Sequence, residues 1–245
     1  MKIQDFFSKH EKVALMFSGG KDSIVCLELV KNYLDKTYVV WINTQANFPE
    51  ITYLMDYVRK QVPNFIEVTS NQPESIKVNG YPTDVTPINY TVIGQLCTEE
   101  KPIKLRSYFD CCGENIWVPA QKAVQSLGVT GVIRGQRADE KHRGPIQSGY
   151  VENGVEYFLP IELWTSKDVI NFLQENNIDV GDRLNMSHSS LDCWDCTAFC
   201  NNSAERMNYI KKNHPDKHMH ILEKLKQINH AVSSEMVGLQ QLLGV

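Results

Sequence analysis

The stretch "KVALMFSGGKDSIVCLELV" (12–30) joins two kinds of pattern. Its first six residues form a short continuous apolar run, as expected of a strand buried on both faces. Beyond the glycines, Ile24, Leu27, Val30 and then Leu34 recur at helical spacing, so residues 18–23 link a strand to a helix. Such a junction exposes backbone N–H groups at a helix N-terminus, where the helix dipole also favours an anion. Gly19 and Gly20 let the backbone come close to that anion. Ser18 and Ser23 offer hydroxyls and Lys21 a positive charge. The spacing is not that of the Walker loop, which places four residues between a glycine and Gly-Lys-Ser/Thr. A tight strand-to-helix turn without a ligand is the competing reading.

The segments that follow keep the alternation. "TYVVWINT" (37–44) reads as a second buried strand, "PEITYLMDYVRKQ" (49–61) as a helix with Pro49 in its first turn, and "NFIEVTS" (64–70) as a third strand. A β-α-β-α-β order predicts a parallel, doubly wound sheet. Residues 71–110 are interrupted by prolines and read as a long functional loop. A helix over about 114–127 leads to a further strand in "VTGVIRGQR" (129–137), and "SGYVENGVEYFLP" (148–160) reads as a hairpin turning at Asn153-Gly154. "TSKDVINFLQENN" (165–177) carries a capping box from Thr165 to Asp168. The expected fold is α/β: a doubly wound, mostly parallel, Rossmann-like sheet with a mainly helical C-terminal part. The expected domains are 1–202 and a helical extension, 203–245, packed on it.

With 245 residues, 42% of them hydrophobic and 22% charged, the chain supports a substantial core. A formal charge of −4 argues against sequence-blind nucleic-acid binding, which needs a basic face. No apolar run reaches a membrane span and "MKIQDFFSKHEK" is no signal peptide, so a cytoplasmic location is expected. Seven cysteines, an odd number without a signal sequence, do not suggest a disulfide framework. Cys111 and Cys112 are adjacent, Cys193 and Cys196 form a C-x-x-C, and Cys200 follows, while Cys26 and Cys97 read as core or loop residues. Four thiols in two pairs suit an iron–sulfur cluster or tetrahedral zinc. Adjacent cysteines are awkward for zinc, whose ligands are usually two to four residues apart, but spacing alone leaves both open. His214, His218 and His220 in "NHPDKHMH" read as a polar helix surface.

The SGGKDS string resembles the signature loop of the PP-loop ATP pyrophosphatases, the adenine-nucleotide α-hydrolase-like superfamily. Four later segments are similar, in order, to the phosphoadenosine-phosphosulfate (PAPS) and adenosine-phosphosulfate (APS) reductases: "NTQANFPEI" (43–51), "RGQRADEKHR" (134–143), "LPIELWTSKDVINFLQENNI" (159–178) and "CWDCT" (193–197). The resemblance runs from about residue 12 to 200. It implies that Ser18, Gly19, Gly20, Lys21, Asp22, Ser23, Thr44 and Gly135 bind ATP or an adenylyl sulfate (APS or PAPS), with Mg2+ as a further candidate. It implies catalytic roles for Lys21, Arg137 and Arg143, the basic group Arg134, Arg137, Lys141 and Arg143 facing a sulfate or phosphate. Cys111, Cys112, Cys193 and Cys196 match the ligands of the iron–sulfur branch, which holds a 4Fe-4S cluster.

The sequence departs from that pattern twice. The family places a basic pair shortly after its cysteine pair, whereas "GENIWVP" (113–119) has none before Lys122. The family's nucleophilic cysteine stands in a C-terminal Glu-Cys-Gly-x-His motif, and no cysteine follows Cys200 here. Cys200 is therefore the leading nucleophile for unaided sulfonucleotide reduction; its alternative is an ordinary thiol beside Phe199. Two enzymatic readings result. One is reduction, by Cys200 or a partner's thiol. The other is ATP-dependent adenylation followed by sulfur transfer, as in nucleic-acid thiolation or DNA phosphorothioation. A non-catalytic nucleotide-binding redox module is the third, and the intact loop and cysteines argue against it. The partners implied are an adenine nucleotide, a thiol reductant or sulfur-donor protein, and a nucleic-acid acceptor for which no basic surface is evident. An oligomer is compatible with the chain; a membrane is not expected.

Overall fold

The computed structural model describes residues 2–140, 144–181, 191, 193–202 and 204–244. It opens with a helix that the sequence pattern does not reveal, α1 (Ile3–Lys9). Seven residues are too few to hold a helix in water. This one persists because Phe6 and Phe7 are buried, Phe6 against Phe158 (ring centroids 5.0 Å apart) and Phe7 stacked on Tyr33 (4.2 Å). There follow β1 (Val13–Met16), α2 (Lys21–Leu29), β2 (Thr37–Asn43), α3 (Pro49–Gln61) and β3 (Phe65–Thr69), in the order the apolar runs predict. On α3, Pro49 takes the first position and Ile51, Met55 and Val58 form the buried stripe.

Residues 71–110 are not the long loop expected. They fold as α4 (Gln72–Asn79), β4 (Tyr81–Thr83), a 3-10 turn (Ile88–Tyr90), α5 (Val92–Cys97), β5 (Leu105–Ser107) and the first part of α6 (Tyr108–Cys112). These elements are too short to display a period, and the prolines sit where regular structure admits them. One is in the first turn of α4, and Pro82 is in a two-stranded sheet whose strands are both edges. The helix expected from about 114 begins at Tyr108, where Ser107 Oγ accepts from the Phe109 N–H at 3.1 Å. A π turn (Gly113–Trp117) and α7 (Val118–Leu127) come next.

The remaining elements are β6 (Gly131–Ile133), β7 (Val151–Glu152), β8 (Val155–Phe158), α8 (Ser166–Glu175), α9 (Ala204–Asn213) and α10 (Pro215–Leu243). The β7–β8 hairpin turns at Asn153 (φ 52°) and Gly154 (φ 80°), the two left-handed positions of a type I′ turn. Both halves of the Thr165–Asp168 capping box are present on α8.

Contacts divide the chain into two interleaved units. The first comprises Met1–Asn43, Asn47–Ser70 and Val118–Asp192; the second comprises Thr44–Ala46, Asn71–Trp117 and Cys193–Val245. The first holds the six-stranded sheet, ordered β3-β2-β1-β6-β8-β7 and parallel except at β7–β8. Ala14, Val40 and Val132 of its strands meet Ala123 and Val124 of α7. The second unit holds the parallel pair β4–β5, with Tyr81 opposite Leu105, and a core of Tyr90, Ile103, Leu105, Ile228 and Ala231. The fold is thus the Rossmann-like, mostly parallel sheet with a helical C-terminal part. The contact division does not fall at residue 202, because α10 buries its apolar stripe among residues of 71–117. No helix among the described residues is long and apolar enough to cross a membrane.

Because Phe6 is the fully buried anchor of α1, Phe6→Ala is expected to lower stability by about 3–5 kcal/mol. The shift in denaturant midpoint, at unchanged slope, measures it.

Candidate functional site

In the first unit β1 runs into Ser18–Ser23. Gly19 has φ +79°, a conformation that demands glycine, while a Cβ there would press only on the flexible ends of Met55 (Cε, 3.0 Å) and Leu54 (Cδ2, 3.2 Å). Gly20 differs. Its backbone is ordinary and extended (φ −70°, ψ 157°), and a Cβ would meet nothing nearer than Ser18 Oγ at 3.4 Å. The fold does not need a glycine at 20. The serines brace the loop from within: the Gly19 N–H donates to Ser23 Oγ (3.1 Å), the Gly20 N–H to Ser18 Oγ (3.3 Å), and Ser23 Oγ donates to the Gly20 carbonyl (2.8 Å). Lys21 opens α2 with a buried side chain, its Nζ 3.7 Å from Asp22 Oδ2.

The segment after β6 lies against this loop. A Cβ on Gly135 would come within 2.9 Å of the Asp22 carbonyl carbon and oxygen and 3.1 Å of the Ser23 nitrogen, so the two backbones touch. Arg137, only 2% exposed, pairs with Asp22 and, through Nε, with Asp139 Oδ1 at 2.8 Å. Asp139 Oδ2 accepts in turn from the Ser166 N–H at 2.7 Å, at the start of α8. The guanidinium expected to face a sulfate is engaged here by two carboxylates. Arg143 and Lys141 lie outside the described residues; Arg134 is half-buried, its N–H donating to the Phe158 carbonyl at 3.2 Å. Burial, and then the Asp22 charge, push the Glu140 carboxyl above its ordinary value, with Arg137 and Lys21 pulling the other way.

The second unit gathers the cysteines. Thr44 belongs here: the Cys193 thiol donates to its hydroxyl at 3.3 Å, and the Trp194 N–H donates to the Ala46 carbonyl at 2.8 Å. Next to it the Gln72 N–H donates to the Thr44 carbonyl (3.0 Å), while both ends of the buried Gln72 carboxamide lack a hydrogen-bond partner among the described residues. A donor and an acceptor left unmet in this way cost about 1–3 kcal/mol each unless a ligand or water meets them.

The C-x-x-C loop is clamped from three sides. Arg206 of α9, buried, donates to the carbonyls of Cys193 (2.9 Å), Trp194 (3.0 Å) and Cys196 (3.2 Å). Thr197 Oγ1 donates to the Pro82 carbonyl at 2.7 Å. His220 of α10 places Nε2 3.0 Å from Asp195 Oδ1 and its ring 5.5 Å from that of Trp194. His220 is therefore part of this site rather than plain polar helix surface.

Cys111 is buried and Cys112 half-buried on α6. Burial pushes the Cys111 thiol up to about 11, against the pull of Arg106, and Cys196 adds to the rise, so the two cysteine segments lie within electrostatic reach. Arg106, on β5, donates to Ser75 and Glu114 at 2.8 Å each, so a cation reaches the pair from upstream in the chain. None of the seven cysteines is joined in a disulfide. Among the described residues no three His, Cys, Asp or Glu side chains are gathered to hold a metal ion as they stand. The donor chemistry nonetheless fits an iron–sulfur group, with four thiols on two segments of one unit.

Cys26 is fully buried in α2, which pushes its thiol far up, and Cys97 is exposed on α5. Cys200 is exposed in a 3-10 turn (Cys200–Asn202). Its N–H and that of Phe199 both donate to Asp84 at 2.9 Å. Partial burial, then the Asp84 carboxylate, push the Cys200 thiol up to about 11. That environment disfavours the thiolate a nucleophile needs. Sequence reasoning missed Arg206, Arg106 and Asp84, each a single residue without a motif, and it read His220 as helix surface without its Asp195 contact.

Residues 12–199 match the family described as the phosphoadenosine phosphosulfate reductase domain. A probable phosphoadenosine phosphosulfate reductase of Schizosaccharomyces pombe is 20% identical over 73% of this chain and 62% of its own. An adenosine 5'-phosphosulfate reductase of Bacillus cereus is 21% identical over 76% and 74%. An uncharacterized protein of Methanocaldococcus jannaschii is 24% identical over 79% of this chain, which spans only 43% of that protein. The crystal structure of the PAPS reductase from Candida auris in its phosphate complex is similar in fold, with a TM-score of 0.51 and 19% identity over 74% of this chain and 81% of that one.

The Glu140 geometry sets a pH dependence. A carboxyl raised in the folded state costs nothing below its ordinary value of 4.5 and destabilises as pH rises through the folded value. Glu140→Gln is expected to raise the melting temperature at neutral pH, with the gain shrinking to nothing toward acid. Melting curves of both proteins across that range check it.

Proposed function

The chain belongs to the phosphoadenosine phosphosulfate reductase domain family, and from that premise we propose that it binds an adenine nucleotide, ATP or an adenylyl sulfate, through Ser18–Ser23 for sulfur chemistry of the sulfonucleotide-reductase kind. The observation that carries this reading is Gly20. A residue with an ordinary backbone, where a Cβ would meet nothing nearer than 3.4 Å, is nevertheless a glycine, at the head of a helix whose first turn offers N–H groups and Lys21. A phosphate needs that missing Cβ; the fold does not. Gly135 serves the same end by letting the β6 segment brace the loop from behind.

Cys111, Cys112, Cys193 and Cys196 are proposed as the ligands of a 4Fe-4S cluster. Support comes from thiols that no disulfide takes up, from the electrostatic reach between Cys111 and Cys196, and from the Arg206 clamp that fixes the loop carrying two of them. Bound there, such a group would cross-link the two cysteine segments and polarise its surroundings. Arg106 and Arg206 supply nearby positive charge where the family's basic pair is missing.

The surroundings of Cys200 favour a second reading. With Asp84 beside it this thiol is a poor nucleophile, so reduction would fall to an external thiol. In the alternative, a substrate oxygen attacks the α-phosphorus of ATP, pyrophosphate leaves, and a sulfur donor then displaces AMP. Mg2+ carried by the triphosphate would balance the carboxylates around the loop.

Calorimetry with ATP, APS and PAPS tests the loop. Lys21→Ala is expected to weaken binding about ten- to a hundredfold, the worth of a charge-assisted hydrogen bond, and Gly20→Val to abolish it in a chain that still folds. Full affinity in both variants would remove the assignment. Sulfite released from APS or PAPS with added thiol marks the reductase; pyrophosphate released from ATP marks the alternative.

Anaerobic purification tests the cluster. About four iron and four sulfide per chain are expected, lost in Cys193→Ser and retained in Cys26→Ser and Cys97→Ser. Zinc without sulfide would defeat it.

A further inference from the structure

Among the described residues, Gln72 is the one side chain whose donor and acceptor are both buried and both unmet. It is 1% exposed and opens α4, whose buried stripe is Gln72, Ser75 and Ile76. Leucine or methionine would fill much the same space without the cost of burying a bare carboxamide. Local structure does not call for one. The cap of α4 is the Asn71 side chain, which accepts from the Glu74 N–H at 3.1 Å. The bond that Gln72 makes to the Thr44 carbonyl comes from its backbone N–H, which any residue but proline supplies.

The first turn of α4 is linked to both cysteine segments, and α4 packs on α6, which carries the cysteine pair. Thr44, bonded to the Gln72 backbone, receives the Cys193 thiol on its hydroxyl at 3.3 Å. One turn further on, Ser75 Oγ accepts from Asn115 Nδ2 at 3.2 Å. That same Nδ2 lies 3.0 Å from the Cys111 carbonyl oxygen and 4.0 Å from its sulfur. Ser75 is otherwise taken up, donating to Glu114 at 2.9 Å and accepting from Arg106 at 2.8 Å. All of these residues belong to the second unit. Arg106 bonds to Ser75 and Glu114, and Arg206 to peptide carbonyls, so their charge reaches the sulfurs from a distance. A buried carboxamide can add a directed donor to that charge.

Resting on the cluster reading above, we infer that Gln72 donates its carboxamide N–H to a sulfur of the group held by Cys111, Cys112, Cys193 and Cys196, its carbonyl end meeting a buried water. Hydrogen bonds to the sulfurs are one of the means by which a protein tunes and retains such a group. Gln72 is on this view a positioning residue kept for a ligand, at a cost to the empty fold.

Gln72→Leu and Gln72→Met remove the donor with little change of volume. Purified anaerobically, both are expected to bind iron and sulfide but to lose iron to a chelator about ten- to a hundredfold faster than the wild type. Their midpoint potential is expected to fall, since an N–H to sulfur favours the more negative, reduced state. Stripped of iron, both are expected to melt above the wild-type chain, because the unmet groups are gone. The opposite signs separate this role from a structural one, which would lower retention and melting temperature together. If one variant fails to fold, the other carries the test. Wild-type rates of iron loss and wild-type potential in the variants overturn the inference and leave the carboxamide to water alone. A lower melting temperature in the stripped variants overturns it as well. A wild-type chain without iron and sulfide defeats the cluster and this inference together, whereas a wild-type cluster indifferent to Gln72 removes this inference alone.

Discussion

A guanidinium taken out of water must be met by acceptors, and the way Arg137 meets its own arranges the end of the sheet. Its two carboxylates come from different places, Asp22 in the first turn of α2 and Asp139 in the segment after β6. The second oxygen of Asp139 takes the Ser166 N–H at the head of α8. Burial pushes the Asp139 carboxyl up, and the Arg137 and Ser166 donors more than reverse it, leaving it below its ordinary value. A buried ion pair adds little net stability, because desolvation consumes most of the attraction. What it does is fix geometry: three segments cannot move apart without stranding a charge. Gly135 is the steric condition for this, since any side chain there would push the β6 segment off the loop.

The second unit uses an arginine differently. Arg206 meets three peptide carbonyls of the C-x-x-C loop. Carbonyls satisfy its donors without cancelling its charge, and that charge is felt at Asp195, where it works against the rise that burial imposes. A loop with three of its carbonyls turned to one cation has little freedom left in its backbone. Positive charge near the cysteine segments comes here from Arg106, a few residues before the cysteine pair, and from Arg206 of α9, far along the chain.

This explains which parts were legible from sequence. The strands of the first unit are long apolar runs, the loop at 18–23 is a contiguous string, and the β7–β8 turn and the α8 cap rest on residues adjacent or three apart. Each is local, so each could be read. α1 could not, because two phenylalanines on seven residues make no period and their partners lie far along the chain. The elements of the 71–110 segment were missed because they run three to eight residues apiece, too short for alternation or helical spacing to rise above the prolines. Among site residues, paired cysteines announce themselves by spacing. Asp84, whose contacts with Phe199 and Cys200 span 115 and 116 positions, is one carboxylate among many until the fold brings it there.

The charge count at the loop sharpens what its ligand must be. Among the described residues Lys21, Arg134 and Arg137 stand against Asp22, Asp139 and Glu140, so these charges roughly balance. In the proposed reading the net charge of these residues supplies little of the affinity. Directed N–H donors at a helix head and the open face of Gly20 are left to supply it, and they act only on a group that fits closely. A free sulfate, gaining nothing but charge contact, would be held weakly. A nucleotide gains its base and sugar contacts as well. On this argument Asp22 matters to the loop through the scaffold, because its carboxylate holds Arg137 at the head of α2.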